Sequence, residues 1–466
     1  MSQSIHYDIL IIGSGPAGQK AAIQGAKAGK RVALIEREQG VGGSCIHWGT
    51  IPSKTLRESA LQVARLKQSA GLFEGQFRGD VEITHMMSRL DQVVNAHVGY
   101  ITGQLSRNGV RRFHGRARFL SDNMVELVTV NGSTRSFTAD TIVVATGSRP
   151  RIPDNIPVDH EHILDSDSIL SLIYLPKSLT VLGGGVVASE YASIFAQFGV
   201  QVTMIDQSDR PVRFLDPELT ARFLQAFEQH GGRYHGQQKI VGAKWDGLSK
   251  VLTTLASGQV IESEKTLVAL GRTANLDGLQ IEAAGLKATE RGLLSVDEHC
   301  KTTVPNIYAV GDVIGAPSLA STSMEQGRRA VRHALGLDLG GSQDTIPLGI
   351  FTIPEMSSVG LTEAEAATRY GAALVGRARF VEIARGQISG MTEGLLKMVA
   401  DPKGERLLGI HIVGEDATEL IHIGQMALLS HAEVDIFVEN IFNFPTLAEA
   451  YRVAALDIVK NRQKPS

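Results

Sequence analysis

The feature that most constrains the fold is a strand followed by a glycine-rich loop and a helix. The run Tyr7-Asp8-Ile9-Leu10-Ile11-Ile12 is almost wholly apolar, which is typical of a strand buried on both faces of a parallel sheet. It leads through the loop GSGPAG into an alanine-rich helix predicted over residues 19–28. Gly13 permits a tight turn, Gly15 lets a pyrophosphate approach the backbone, and Gly18 lets helix and strand pack closely.

An acidic residue completes this unit. A second apolar run over residues 31–35 ends at Glu36, whose carboxylate can accept hydrogen bonds from a ribose hydroxyl. Strand, glycines, helix, strand and acid in this order predict a dinucleotide-binding unit, whereas the glycines alone would be weak support.

The same order of elements returns later in the chain. It consists of a strand over 179–182, the loop Gly183-Gly184-Gly185-Val186-Val187-Ala188, a helix predicted over 189–198 and a strand over 200–205 that ends at Asp206. Ala188 stands at the third glycine position, where alanine is an accepted variant. Two complete units predict two bound dinucleotides; the alternative is that one unit is only a scaffold.

Composition excludes several classes of protein. The 466 residues are 43% hydrophobic and 20% charged, as in an ordinary globular protein of two to four domains. The net charge of -3 gives no electrostatic reason to expect nucleic acid or membrane as a partner. No secretory signal and no apolar run of about 20 residues is found. Only two cysteines occur, Cys45 and Cys300, so we expect a cytoplasmic protein without a disulfide framework.

The stretch VGGSCIHWGTIPSK, residues 41–54, closely resembles the GGxCxxxGCIPSK signature of the flavoprotein disulfide reductases. In that superfamily two cysteines form a redox-active disulfide beside the flavin. Cys45 matches the first cysteine, whereas Thr50 stands at the second position and cannot close a disulfide. The sequence of residues 45–54 is similar to the CTHWGTIPSK form of the soluble pyridine nucleotide transhydrogenases, a branch of the superfamily. The resemblance implies FAD as cofactor, NAD(H) and NADP(H) as substrates, and hydride chemistry without thiol chemistry.

The resemblance also implies individual roles. Lys54 corresponds to the family lysine near flavin N5, and Glu190 to its ion-pair partner; a cation there stabilises the negative charge that builds on reduction. Asp312, after the strand that begins at Ile307, corresponds to the aspartate that contacts the ribityl chain. The predicted cofactor-binding residues are Gly13, Gly15, Gly18, Glu36, Gly43, Cys45, Thr50, Lys54, Thr146, Gly147, Gly311 and Asp312 for the flavin, and Gly183, Gly185, Ala188, Asp206, Arg210, Arg213 and Gly271 for the nicotinamide nucleotide. No metal site is predicted.

A second part of the thiol apparatus is also missing. The family's His-Pro-Thr segment carries an acid-base histidine, but this chain has Phe444 at that position, followed by Pro445 and Thr446. Phenylalanine cannot transfer a proton. Glu449, at the position of the residue that orients the histidine, is kept.

The coenzyme preference stays open. Asp206 favours a free ribose 2′-hydroxyl and therefore NAD(H), whereas Arg210 and Arg213 could pair with the 2′-phosphate of NADP(H). The alternative is that these arginines are solvated or pair with Asp209 or Asp216.

We predict an α/β protein with two Rossmann-like dinucleotide-binding domains and a C-terminal α+β dimerisation domain, assembled as a homodimer or larger homo-oligomer. The predicted segments are 1–150 (FAD-binding, first part), 151–272 (NAD(P)-binding), 273–345 (FAD-binding, second part) and 346–466 (interface).

The predicted reaction is reversible ping-pong hydride transfer between NADPH and NAD+, or NADH and NADP+, without a redox disulfide. The alternatives are a diaphorase or quinone reductase, a flavoprotein reductase with Cys45 as its single redox thiol, and a non-catalytic flavin-loaded sensor.

Overall fold

The computed structural model describes residues 4–68, 83–341 and 344–462. The chain forms two compact units, one made of Met1–Thr55, Thr84–Arg151 and Gly271–Gly341, the other of Leu56–Ile83, Ile152–Leu270 and Ser342–Ser466. Within the described ranges, no helix is both long and apolar enough to cross a membrane.

The first part of the chain alternates strands and helices. Its elements are β1 (Ile5–Ile12), α1 (Pro16–Lys27), β2 (Val32–Glu36), α2 (Gly43–His47), α3 (Thr50–Gln68), α4 (Ile83–Arg107), β3 (Arg111–His114), β4 (Arg116–Phe119), β5 (Met124–Val128), β6 (Thr134–Val144) and β7 (Ser148–Pro150).

The middle of the chain repeats this alternation. Its elements are β8 (Ile163–Asp165), β9 (Ser178–Leu182), α5 (Val186–Gln197), β10 (Gln201–Ile205), α6 (Pro217–Gln229), β11 (Arg233–His235), β12 (Ile240–Trp245), β13 (Val251–Leu255), β14 (Val260–Ser263) and β15 (Lys265–Val268), followed by β16 (Arg272–Ala274), β17 (Ile307–Ala309) and α7 (Ala320–Ala334).

The C-terminal part consists of β18 (Leu348–Ile350), β19 (Met356–Gly360), α8 (Glu363–Tyr370), β20 (Leu374–Arg379), α9 (Ala384–Ser389), β21 (Leu395–Ala400), β22 (Leu407–Val413), α10 (Ala417–Leu429), α11 (Ile436–Glu439) and α12 (Glu449–Arg462). Its five strands pair antiparallel in the order β18-β19-β22-β21-β20.

The sheet of the first unit has the order β3-β2-β1-β6-β5-β4, with β17 also paired to β6. Strands β3, β2, β1, β6 and β17 are parallel, and β4 and β5 extend the sheet antiparallel. Successive residues of β1 enter different buried clusters: Leu10 lies in one, and Ile9 and Ile11 lie in the other. Both faces of β1 are therefore covered, which explains its almost continuous apolar sequence.

The second unit contains a five-stranded parallel sheet in the order β11-β10-β9-β15-β8. Strands β12, β13 and β14 form a separate antiparallel sheet. The predicted fold class, two Rossmann-like domains and a C-terminal α+β domain, is confirmed.

Several predicted element boundaries were wrong for identifiable reasons. Helices α1 and α5 each begin three residues earlier than predicted, because the ends of their glycine loops are already helical. The alternating sequence of residues 113–119 predicts one strand, but the structure has two strands separated by Gly115, whose φ of 150° would be strained for other residues. The apolar run in residues 141–148 predicts a buried strand over this whole segment, but β6 ends at Val144, so Thr146 and Gly147 lie in a loop. The sequence also predicts a long helical segment over residues 56–105 with a break near residues 71–79, and this break lies outside the described residues.

Strands β7 and β16 pair antiparallel within the first unit. The chain passes to the other unit after Arg151 and returns at Gly271. These points lie close to the predicted boundaries after residues 150 and 272, but the division into four segments stays a prediction.

Candidate functional site

The first glycine loop has little room for side chains. A Cβ on Gly13 would lie 2.4 Å from the carbonyl oxygen of Ala145, and one on Gly18 would lie 1.9 Å from that of Gly13. A Cβ on Gly15, the N-cap residue of α1, would meet no atom within 4 Å. The loop therefore packs tightly on its protein side and leaves the N-terminus of α1 approachable, as anion binding requires.

Glu36 holds this loop in shape. One of its carboxylate oxygens accepts hydrogen bonds from the Ser14 N–H at 2.8 Å and the Ser14 hydroxyl at 2.5 Å. The other accepts one from the N–H of Glu38 at 2.9 Å. The sequence predicted Glu36 as a ribose ligand but gave no sign that Ser14 would be its partner. A ribose would share this carboxylate with the loop itself.

The cysteine segment packs directly on the first glycine loop. The N–H of Gly42 donates to the carbonyl and hydroxyl oxygens of Ser14, at 3.2 and 3.0 Å. A Cβ on Gly43 would lie 2.8 Å from the Cα of Gly15. Gly43 has a φ of 61°, so glycine is favoured there for conformation as well as for space.

Cys45 is a free thiol, and Thr50, the residue at the second cysteine position, is close enough to act on its pKa. Burial raises the pKa of the Cys45 thiol above its ordinary value, and the Asp312 carboxylate acts in the same direction. The Thr50 hydrogen bond and the charge of Lys54 only partly offset these effects. Cys45 is therefore a protonated thiol at neutral pH, and a hydroxyl takes the place of a partner sulfur.

Asp312 and Thr146 lie in the same unit. The Ser148 hydroxyl donates to the Asp312 carboxylate at 2.6 Å, and Arg272 Nε donates to the Ser148 oxygen at 2.7 Å. The Thr146 hydroxyl is buried and has no hydrogen-bond partner among the described residues. Gly147 has a φ of 67° at the turn after β6. A buried hydroxyl of this kind calls for a polar partner.

These features fit a bound dinucleotide. They are the approachable N-terminus of α1 at Gly15, the carboxylate of Glu36 and the unpartnered Thr146 hydroxyl. Glycine loop, acid and buried polar group all belong to the first unit.

The second glycine loop repeats the geometry of the first. A Cβ on Gly183 would lie 2.5 Å from the carbonyl oxygen of Ala269, and one on Gly185 would meet no atom within 4 Å. Asp206 accepts hydrogen bonds from the N–H of Gly184 and of Ser208, each at 2.7 Å. Ala188 is fully buried in α5. This loop therefore has the shape to bind a second nucleotide.

The two predicted arginines differ in their surroundings. Arg210 donates to the carbonyl oxygens of Arg213 and Leu215, at 2.9 and 3.5 Å. The side chain of Arg213 is 71% exposed, and its nearest acidic contact is Asp209 at 3.7 Å. Asp209 is thus near both arginines, as one alternative expected. Asp216, the other acid considered, is hydrogen-bonded to Lys397.

Lys54 and Glu190 are described in different units, and their predicted pairing stays a prediction. Lys54 is half-buried in α3 and donates to the Ser53 hydroxyl at 3.3 Å. Glu190 is buried in α5 and accepts a hydrogen bond from the N–H of Phe351 at 2.9 Å. Gly271, at the return to the first unit, has a φ of 106° and accepts from the N–H of Arg151 at 3.0 Å.

The segment around Phe444 contains no proton-transferring group at the family's histidine position. Phe444 is 75% exposed and precedes a cis peptide bond to Pro445. Glu449 accepts a hydrogen bond from the N–H of Thr446 at 3.2 Å, so this carboxylate has a local partner although there is no histidine to orient.

One buried network had no signal in the sequence. Arg57 on α3 pairs with Glu355 at 3.0 Å, and its Nε donates to the carbonyl oxygen of Thr352 at 3.1 Å. Glu355 also accepts hydrogen bonds from the N–H and hydroxyl of Thr418. The network fixes the segment whose Phe351 N–H meets Glu190.

Comparison with known proteins agrees with this geometry. Residues 7–327 match the family model described as pyridine nucleotide-disulphide oxidoreductase, and residues 346–455 match its dimerisation domain. The chain is 41% identical over 456 residues to a protein of Mycobacterium tuberculosis named soluble pyridine nucleotide transhydrogenase, with 97% of each chain covered. It is 41% identical over 467 residues to a protein of the same name from Yersinia enterocolitica, covering 98% of this chain and 99% of that one.

Solved structures are similar over the same length. LpdA from Mycobacterium tuberculosis superposes with a TM-score of 0.89 at 27% identity, covering 97% of this chain and 99% of that chain. The HOCl-induced flavoprotein disulfide reductase RclA from Escherichia coli superposes with a TM-score of 0.87 at 27% identity, with the same coverage. With two glycine loops in two Rossmann-like folds and a C-terminal dimerisation domain, the chain belongs to the pyridine nucleotide-disulphide oxidoreductase family.

Proposed function

We propose that this protein is an FAD-dependent transhydrogenase that moves a hydride between NADPH and NAD+, or between NADH and NADP+, without a redox disulfide. The observation that carries the proposal is that a threonine, Thr50, and not a second cysteine, stands beside the free Cys45 thiol. A protonated thiol beside a hydroxyl cannot relay an electron pair as a dithiol does. Relatives at 41% identity that are named soluble pyridine nucleotide transhydrogenase support the same reaction.

The first unit would hold FAD, which when bound accepts and returns two electrons as a hydride. The N-terminus of α1 at Gly15 would bind the pyrophosphate, and Glu36 the ribose. Asp312, which already accepts a hydrogen bond from Ser148, would accept another from a ribityl hydroxyl. The Thr146 hydroxyl would gain the hydrogen-bond partner that it lacks among the described residues.

Lys54 would stabilise the charge that develops during hydride transfer. A fixed cation beside a developing negative charge lowers the barrier because it needs no reorganisation during the reaction. Glu190 would hold that cation in place as its ion-pair partner. Its own orientation is fixed by the hydrogen bond from Phe351.

The second glycine loop would bind the nicotinamide nucleotides. Asp206 would accept a hydrogen bond from the adenosine ribose of NAD(H), and Arg213 would pair with the 2′-phosphate of NADP(H). Arg210 is bonded to carbonyl oxygens of its own loop and would mainly hold that loop. Donor and acceptor have nearly the same shape, so one site would bind them in turn.

The proposal includes a homodimer or larger homo-oligomer in the cytoplasm. The match of residues 346–455 to the dimerisation domain supports the assembly. The small number of cysteines supports a reducing compartment.

Steady-state kinetics tests the function against its alternatives. With NADPH as donor and no thiol present, NAD+ should be reduced at least as fast as a small quinone. Double-reciprocal plots of initial rate against NADPH concentration, at several fixed NAD+ concentrations, should give parallel lines. Turnover with quinone but none with NAD+ would instead indicate a diaphorase. Loss of all turnover on alkylation of Cys45 would favour the single-thiol reductase.

A further inference from the structure

A charged cluster with a buried pair, Lys397 and Asp216, at its centre joins the C-terminal sheet to the nucleotide-binding fold within the second unit. Lys397 on β21 is 2% exposed. Its ammonium group lies 2.8 Å from Asp216, 2.6 Å from Glu218 and 2.7 Å from Glu363. Arg377 on β20 pairs with Glu218 at 2.6 Å and with Glu363 at 3.6 Å, but its hydrogen bonds do not reach Asp216.

Lys397 and Glu218 remain ionised at neutral pH. Burial alone would lower the pKa of Lys397, but the hydrogen bonds to three carboxylates outweigh this and raise the pKa above its ordinary value. The hydrogen bond from Arg377 is the main reason that the pKa of Glu218 falls to about 2, with Lys397 adding to it and burial opposing it. Buried ion pairs often add little to stability compared with apolar residues, so the buried pair of Lys397 and Asp216 needs another reason.

Asp216 connects the cluster to the loop that follows the second glycine unit. As the N-cap of α6, its side chain accepts a hydrogen bond from the N–H of Glu218 at 2.9 Å, and its other oxygen accepts one from Lys397. The preceding residue, Leu215, is the last of the segment 208–215, which we call the arginine loop. Lys397 therefore fixes the point at which the arginine loop ends.

The other anchor of the arginine loop is the glycine loop itself. The N–H of Val212 donates to the carbonyl oxygen of Gly184 at 2.7 Å, and the N–H of Leu215 donates to that of Val212 at 2.9 Å. Val212 has a φ of 41°, which a β-branched residue rarely adopts. Such strain persists only where the surroundings impose it, and it is common at ligand-binding sites.

Two exposed side chains stand between these anchors. Arg213 is 71% exposed and Phe214 is 59% exposed, although their neighbours Val212 and Leu215 are buried. A cation and an aromatic ring side by side suit a phosphorylated adenosine, which presents an anion and a flat base.

We propose that Lys397 is a positioning residue for the arginine loop, and that through Asp216 it sets how well the protein recognises a 2′-phosphate on the adenosine of its nicotinamide nucleotide. The inference rests on the proposed function, because it takes NADP(H) as one of the two substrates. It assigns part of the nucleotide selectivity to the C-terminal sheet.

Calorimetric titration of the full-length, flavin-loaded protein tests this proposal. The probes are adenosine 2′,5′-bisphosphate and adenosine 5′-monophosphate, which differ only in the 2′-phosphate. In K397Q we expect the bisphosphate to bind about tenfold more weakly and the monophosphate to change by less than about twofold. Hydrogen exchange at the Val212 amide should become faster in the same variant.

R377Q is the matched control, because it removes one positive charge from the same cluster without a bond to Asp216. Both probes should bind R377Q within about twofold of the wild type, since Arg377 bonds to Glu218 and not to Asp216, and its loss would reach the arginine loop only as screened charge. D216N keeps a good N-cap residue but loses the carboxylate bonded to Lys397, and should weaken bisphosphate binding about threefold. D216N carries the test if K397Q does not fold.

Three results would overturn the proposal. Equal selective losses in K397Q and R377Q would assign the effect to charge rather than position. Wild-type binding of both probes by a folded K397Q or D216N would show that the cluster does not act on the loop. Equal affinity of the wild type for both probes would show that the loop does not read the 2′-phosphate. None of these measurements needs turnover, so failure of transhydrogenation would be seen separately.

Discussion

The two glycine loops share one hydrogen-bond pattern and differ in the segment that is bonded to the loop. In each, the carboxylate at the end of the second strand accepts a hydrogen bond from the N–H of the loop's second residue. Glu36 accepts from Ser14, and Asp206 accepts from Gly184. In each, the carbonyl of that residue then accepts an N–H from the following segment.

The residue that makes this last bond differs between the two loops. It is Gly42 in the first and Val212 in the second. Glycine leads without a side chain into the helix of Cys45, whereas valine, at a φ of 41°, leads into the exposed Arg213. The same hydrogen-bond pattern thus supports close backbone packing in the first loop and an exposed cation in the second.

The largest effect should come from the third position of each loop. G18A would place a Cβ 1.9 Å from the Gly13 carbonyl oxygen, so the backbone must move. We expect G18A to lower the free energy of unfolding by about 3 kcal/mol and to lose flavin. A188G, at the corresponding position of the second loop, should cost only about 1 kcal/mol. Chemical denaturation and the flavin content of the purified proteins measure both; equal costs would mean that the third position of the first loop is packed no more tightly than that of the second.

The next largest effect separates chemistry from recognition. K54M should lower the limiting rate of flavin reduction by NADPH about 100-fold, because the developing charge loses its fixed cation. The dissociation constant of the nucleotide should change little. Stopped-flow absorbance over a range of NADPH concentrations gives both values. A pure change in affinity would assign Lys54 to binding instead.

A smaller and opposite pattern is expected for the cation of the second loop. R213Q should raise the KM for NADPH about tenfold, since one charge-assisted bond to the 2′-phosphate is lost. The KM for NADH and the limiting rates should stay close to those of the wild type. The matched variant R210Q should affect both coenzymes alike, because Arg210 bonds to the carbonyls of its loop.

The smallest effect concerns the remaining thiol of the first loop. Burial raises the pKa of Cys45, so less thiolate is present at neutral pH than for a free cysteine, and the fraction grows only as the pH rises toward that pKa. In C300S, where Cys45 is the only cysteine, iodoacetamide should react at pH 7.5 about threefold more slowly than with a free thiol. Faster reaction than the free thiol would revive the single-thiol reductase.

Sequence patterns predicted the two glycine loops and their acids because phosphate binding imposes residue types at fixed spacing. Glycines that tolerate no Cβ and acids that end strands follow from the chemistry of the loop. The pairing of Lys397 with Asp216 could not be predicted, because 181 residues separate them and neither lies in a motif. The φ of Val212 likewise has no sequence signal, since valine is an unusual residue for that conformation.

The missing thiol was predictable from Thr50, but its consequence for Cys45 was not. Whether a lone cysteine is reactive depends on burial and neighbouring charges, which only the folded chain supplies. The structure brings the Asp312 carboxylate, from a distant part of the sequence, close enough to act on the sulfur beside the neighbouring Thr50.

Anaerobic titration of the yellow protein tests the central claim most directly. One equivalent of NADPH should remove the flavin colour, and NAD+ added afterwards should restore it with no thiol or disulfide present. The protein should oxidise no more than one equivalent of NADPH per flavin, because no second redox centre stores electrons. Uptake of a second equivalent, or a flavin that stays colourless after NAD+, would contradict the account.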